Sequence, residues 1–174
     1  MQRCKAKNER GGLARIILTL VPVLLVMILI FCFSAENGEQ SGRTSGEIVR
    51  WIAERLIPHF TEQSDAEQAA LIERATFFVR KAAHFSEFAA LGFFLCLHLS
   101  VLRRHIPIPR YPIWAFAIGS LYGVSDEIHQ RFVPGRSGEW RDMLIDSAGV
   151  LLGTLLMAGL LWIVSRNHKK MIDA

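Results

Sequence analysis

The chain has 174 residues, a length suited to one domain, and 51% of them are hydrophobic. Its net charge of +4 comes from basic residues clustered beside long apolar blocks. This is the charge pattern that orients membrane segments, and it excludes a nucleic-acid-binding stripe. Cys4, Cys32 and Cys96 form no Cys-x-x-Cys pair, and on the topology below none lies in an external loop, so neither a disulfide framework nor a zinc site is expected.

Residues 1–15 carry Arg3, Lys5, Lys7, Arg10 and Arg15 against the single acid Glu9. Residues 16–33 follow without a charge, just long enough to cross an apolar layer of about 30 Å. A basic start and an apolar run also fit a signal peptide, but this run is long for one and more spans follow, so it is read as a retained first span.

Residues 34–81 begin polar, as Ser-Ala-Glu-Asn-Gly-Glu-Gln-Ser-Gly-Arg-Thr-Ser-Gly-Glu. Ile48, Trp51, Ile52 and Leu56 then recur at helical spacing, predicting an amphipathic helix over 47–56 that Pro58 ends. That stripe suits either the membrane surface or packing against the outer ends of the spans. Ser64 to Glu67 reads as a capping box opening a helix that runs into the second span.

The second span is expected over 82–102, the third over 112–130 with Pro112 in its first turn, and the fourth over 143–164. The loop 103–111, with Arg103, Arg104 and Arg110, and the tail 165–174, with Arg166, Lys169 and Lys170, are basic. Loop 34–81 holds eight acids to six bases, and loop 131–142 is mixed. The fold class is therefore an all-α membrane protein with four transmembrane helices. It forms a single domain over 1–174, has an extracellular helical segment between the first two spans, and keeps both termini in the cytoplasm.

Charges within such spans are expensive and need partners, water or a function. Arg80, His84 and Glu87 share one helical face, which Lys81 borders. Asp126, His129 and Gln130 share a second, with Glu127 turned about 100° away. Asp142 and Asp146 share a third, with Gly149 and Gly153 continuing near it so that a neighbouring helix can approach closely. At 1.5 Å per residue, Glu87, Asp126 and Asp146 stand about 22, 21 and 27 Å above the inner ends of their spans, so three helices bring charge to one level.

The segments Arg80-Lys81-Ala82-Ala83-His84-Phe85-Ser86-Glu87-Phe88, Ser125-Asp126-Glu127-Ile128-His129-Gln130 and Phe132-Val133-Pro134-Gly135-Arg136, then Asp142 and Asp146 before Gly149, resemble the VanZ-like family. Phe33-Ser34-Ala35-Glu36 resembles that family's Phe-Ser-x-Gln signal, with Glu36 where Gln is more usual. The resemblance spans roughly residues 30–155. It implies a multi-pass protein of the bacterial plasma membrane, in a family whose named member is linked to resistance to the glycopeptide teicoplanin.

Two functions fit these residues. In the first, an outer polar cleft recognises a membrane lipid or lipid-linked envelope precursor, or the antibiotic that targets one. Arg80, Lys81 and Arg136 supply positive charge and Gln130, Asp142 and Asp146 complete the site, since Arg grips phosphate or carboxylate bidentately. In the second, the cleft is a hydrolase or transferase with His84 or His129 as acid/base and Glu87, Asp126 and Glu127 as partners. Two imidazoles beside carboxylates also suit a divalent metal, but without a motif such as His-Glu-x-x-His no metal or cofactor is assigned. Ser34 and Ser41 lack His–acid partners at known spacing for a nucleophile. Asp142 also suits the dipole of a first helical turn. Transport is disfavoured because the inner half of the spans stays apolar. Four spans are few for a self-contained cleft, which leaves room for a homodimer.

Overall fold

The computed structural model of the chain describes residues 2–107 and 110–172, and not the side chains of 2–10, 169, 170 and 172. Cys4, the basic side chains of Arg3, Lys5, Lys7, Arg10, Lys169 and Lys170, and positions 108 and 109 of the basic loop lie outside the described residues. Five α-helices carry the fold: α1 (Gln2–Ser34), α2 (Gly38–Leu56), α3 (Asp65–Leu102), α4 (Tyr111–Gln130) and α5 (Trp140–Ile172). A short 3₁₀ turn, Phe60–Glu62, joins α2 to α3, and there is no strand among the described residues.

The capping box forms as the sequence predicts. Ser64 receives the backbone N–H of Glu67, whose carboxylate accepts from the Ser64 backbone N–H at 3.0 Å. From this start α3 runs unbroken for 38 residues into the apolar segment. Helix α2 is longer than its expected 47–56, because Asn37 caps it by accepting from the Glu39 N–H at 2.9 Å. Its buried side chains are Val49 and Ala53, which turn inward while Ile48, Trp51, Ile52 and Leu56 stay exposed. Position 46 faces Ile72 and Thr76, so α2 lies along the first half of α3 rather than across the ends of the spans.

Three helices are long and apolar enough to cross a membrane: Gly11–Ser34, Asp65–Leu102 and Trp140–His168. Helix α4, 20 residues long, is not among them. Gly119, Ser120, Gly123, Ser125, Asp126 and Glu127 dilute its apolar content. Its buried positions are Ala115, Gly119, Gly123, Asp126, Glu127 and Gln130, while Ile113, Ile118, Leu121, Val124 and Ile128 face outward. Its fully buried positions are small or polar, and Phe116 and Tyr122 pack partly against the core beside them.

The core centres on α3, where Phe88, Leu91, Leu95 and Cys96 pack against Val23 and Ile30 of α1, Ala115 of α4 and Val150 of α5. The tightest seam joins α3 to α5. A Cβ at Gly92 would lie 2.9 Å from the Val150 Cα, one at Gly153 would lie 2.8 Å from the Phe93 N, and one at Gly149 would lie 3.2 Å from the Ala89 N. These are the close approaches that Gly149 and Gly153 lead one to expect, and Gly92 supplies the third.

Gly92→Leu should therefore overpack this seam and cost about 1–3 kcal/mol or more. Gly159→Ala, whose added Cβ meets nothing within 4 Å, should leave stability unchanged or slightly raised. Thermal unfolding of the two variants in one detergent checks the contrast.

Candidate functional site

The polar residues of three helices do converge, at the end of the molecule where α1 passes into α2. Asp126 and Gln130 are one turn apart on α4 and both are buried. The Gln130 side-chain amide donates to Asp126 Oδ2 at 2.8 Å and lies 3.3 Å from Glu127 Oε1. Ser34, fully buried at the last turn of α1, donates to the same Asp126 oxygen at 2.7 Å. Glu127 Oε2 accepts the Glu139 backbone N–H at 3.0 Å, just before α5 begins. Glu127 thus secures the entry into α5 while Asp126 secures the exit from α1.

The turn at 133–136 closes over this layer. Gly135 takes a φ of +74°, which suits a residue without a side chain. The Gly38 N–H donates to the Pro134 carbonyl at 3.1 Å, an approach so close that a Cβ at Gly38 would collide with Gly135. Arg136, half-buried, then spreads its donors. Nη2 reaches the Phe33 carbonyl at 2.6 Å and Ser41 Oγ at 3.2 Å, Nε reaches the Glu36 carbonyl at 2.9 Å, and Nη1 reaches Gln130 Oε1 at 3.4 Å. Burial and the neighbouring Arg80 push its pKa below the ordinary guanidinium value, while Asp126, Glu36 and Glu127 act the other way. A guanidinium remains charged under such a shift.

Lys81 forms an ion pair with Asp142, joining α3 to the start of α5. Arg80 makes no hydrogen bond and no ion pair among the described residues. Of the three cations expected to grip an anion, two already hold the fold together and one is uncommitted.

Two cavities meet at this cation. One of about 360 Å³ is lined by Phe33, Glu36, Ser41, Thr44, Ser45, Val79, Arg80, Ala83, His84, Glu87 and Arg136. The second, about 230 Å³, is lined by Phe77, Arg80, Lys81, His84, Gln130, Gly135, Arg136, Ser137, Glu139 and Asp142. Arg80, His84 and Arg136 line both. Larger hollows of about 600 and 610 Å³ lie along α2 and along the first half of α3, away from the polar layer.

His84 Nδ1 and Glu87 Oε2 are buried without a hydrogen-bond partner among the described residues, as are both carboxylate oxygens of Asp146. Asp146 is 1% exposed and sits beneath the cavities, its Cβ 3.3 Å from where a Gly123 Cβ would be. His129, on the Asp126 face by spacing, stacks instead on Phe31 at 4.8 Å between ring centroids and lines neither cavity. No three His, Cys, Asp or Glu side chains among the described residues are grouped to hold a metal ion.

The spacing therefore brings Arg80, Lys81, His84, Gln130, Arg136 and Asp142 to one cleft with Glu87 at its edge. Asp126, Glu127 and Asp146 form the layer below, and His129 stands apart. Ser34 and the carbonyls of Phe33 and Glu36 are partners that residue-type reasoning missed, although the Phe-Ser-x-Glu segment pointed to the place. Because Glu36 contributes to Arg136 through its backbone, Glu in place of Gln leaves that bond intact.

Three membrane-length apolar helices around a buried polar layer define an all-helical membrane protein. Residues 19–163, most of the chain, match the VanZ/LLP1 family model, and the chain belongs to that family. Comparison with curated proteins and with solved structures found no match.

Arg136→Gln should lose charge-assisted bonds to two carbonyls and destabilise the protein by about 1.5–3 kcal/mol. Arg80→Gln, which breaks no bond among the described residues, should change stability by less than about 0.5 kcal/mol. Thermal melts in detergent test the pair, and equal losses would contradict the division of labour described above.

Proposed function

We propose that this VanZ-family protein is a four-span envelope protein whose outer polar cleft binds a polar or anionic headgroup, and that it contributes to glycopeptide resistance of the teicoplanin type. In this reading α4 is the remaining span and residues 1–174 form one domain. Both termini lie in the cytoplasm, as the basic flanks of 1–15, 103–111 and 165–174 favour. The cleft then opens on the outer side, within reach of lipid-linked wall precursors or the antibiotic that targets them.

The observation that carries this reading is Arg80. It is a partly buried cation shared by two adjoining cavities and has no partner among the described residues. A guanidinium in such a place is well suited to a phosphate or carboxylate, which it meets through two parallel N–H donors. His84 and Glu87 line the same cavity. Binding is preferred to acid/base catalysis because His84 has no carboxylate bonded to its ring among the described residues, so nothing orients it as a base.

In cells, Arg80→Gln should abolish protection against a teicoplanin-type glycopeptide while the amount of membrane-inserted protein stays normal. Loss of one charge-assisted contact corresponds to about a 10- to 100-fold weaker site. Under pure binding, His84→Gln should retain most of the protection and His129→Gln nearly all of it. Unchanged susceptibility for Arg80→Gln would rule out the anionic cleft.

A further inference from the structure

We infer that the ligand of the cleft is an anionic amphiphile with a phosphate-type headgroup, and that it enters sideways from the outer leaflet between the outer halves of α1 and α3. The inference rests on reading the cleft as a headgroup site and adds the class of molecule and its route.

The route follows from how α1 is held. At its inner half α1 lies against α3. Thr19 Oγ1 is 3.1 Å from His98 Nδ1, and a Cβ at Gly12 would lie 2.7 Å from the His105 ring. Higher up, its bonds pass to α4 and the 133–136 turn. The Tyr122 hydroxyl donates to the Met27 carbonyl at 2.7 Å, Ser34 donates to Asp126, and Arg136 donates to the Phe33 carbonyl. These bonds add to the packing of α1 on α3, which continues up to Ile30 in the core. The cavity of about 360 Å³ occupies a wedge between Phe33 at the end of α1 and residues 79–87 of α3, under the first turns of α2.

The wedge has two chemical ends. Phe33 on one wall and Val79 on the other are 50% and 38% exposed, and Ala83 is exposed below Val79. Arg80, His84 and Arg136 are shared with the second cavity farther in. Ala83 and Glu87 lie past Lys81, within the apolar part of α3, so an opening at this level faces lipid chains. The volume is at the small end for ligand pockets, about 300–1,000 Å³. It has room for a headgroup beside Arg80 and leaves the apolar chain outside, along Phe33, Val79 and Ala83. A soluble anion would need the cations alone and would have no use for an apolar wall.

The test uses the full chain in detergent micelles and native mass spectrometry with three probes: dioleoyl phosphatidic acid, glycerol 3-phosphate and dioleoylglycerol. Phosphatidic acid should bind at least about tenfold more tightly than either part alone, since each part forgoes one half of the contacts. Arg80→Gln and Ala83→Trp, the second filling the mouth, should each weaken it by about tenfold or more. Val79→Trp replaces Ala83→Trp if the latter melts below the parent protein. If glycerol 3-phosphate binds as well as the lipid and Ala83→Trp changes nothing, lateral entry is overturned while the anionic cleft stands. If neither phosphate compound binds better to the parent than to Arg80→Gln, both readings fall.

Discussion

The structure depends on one cross-link, the Arg136 guanidinium spread over the end of α1 and the start of α2. Helix ends leave carbonyls without intrahelical partners, and in an apolar setting water is scarce to satisfy them. Arg136 bonds the carbonyls of Phe33 and Glu36 and reaches Ser41 and Gln130 with its remaining donors. A lysine offers a point charge on a flexible stem and cannot span four acceptors in this way. The Pro134–Gly135 turn sets the reach, with Gly135 at positive φ and Gly38 pressed against it. Both cavities owe a wall to this junction, because its removal frees α2 from the 133–136 turn.

Below the clamp, acids are distributed among structural tasks. Asp126 holds Ser34 and Gln130, Glu127 holds the backbone at Glu139, and Asp142 holds Lys81. Apart from the Asp126–Gln130 bond within α4, each ties a different pair of segments, so a change to one acid loosens the site at one place. Asp146 differs, since both of its oxygens are buried and unbonded among the described residues. The glycine seam explains how it reaches that depth. Gly149 and Gly153 let α5 lie almost backbone to backbone against α3, which draws Asp146 toward Gly123 of α4.

Much of this was legible in the sequence where a single local rule governs. The Ser64–Glu67 box, the unbroken run into the second apolar segment, and the small-residue face of Gly149 and Gly153 follow from spacing within one helix. The approach of Glu87, Asp126 and Asp146 to one level was legible because rise along a helix is set by residue count. The start of α2 was not. Gly38 to Gly46 has a loop-like composition, and its helix is held by Asn37, by the 133–136 turn and by α3, two of them distant in sequence. The bonds of Arg136 were hidden, because its main acceptors are backbone carbonyls that have no sequence signature. His129 faces α1 as Asp126 does, but it meets the Phe31 ring there rather than the polar layer.

Helix α4 shows how a buried stripe of small and polar residues lowers the mean hydropathy of a helix. Its buried stripe, Ala115–Gly119–Gly123–Glu127, repeats every four residues and offers nothing apolar beyond a methyl group, while Ile113, Trp114, Ile118, Leu121, Val124 and Ile128 are exposed and Phe116 and Tyr122 pack partly against the core. Averaged hydropathy charges the helix for its glycines and acids as though they met lipid. In the fold they meet Val150, Phe88, Asp146 and the Glu139 backbone instead. On the four-span topology, the favourable transfer of the outward face has to be joined by docking of the inward one. The polar layer would then form only when α1, α3 and α5 are already in place around α4. The small residues that lower the mean hydropathy of α4 are those that bring Asp126, Glu127 and Gln130 into the polar layer. Marginal hydrophobicity and site formation are consequences of one inward stripe.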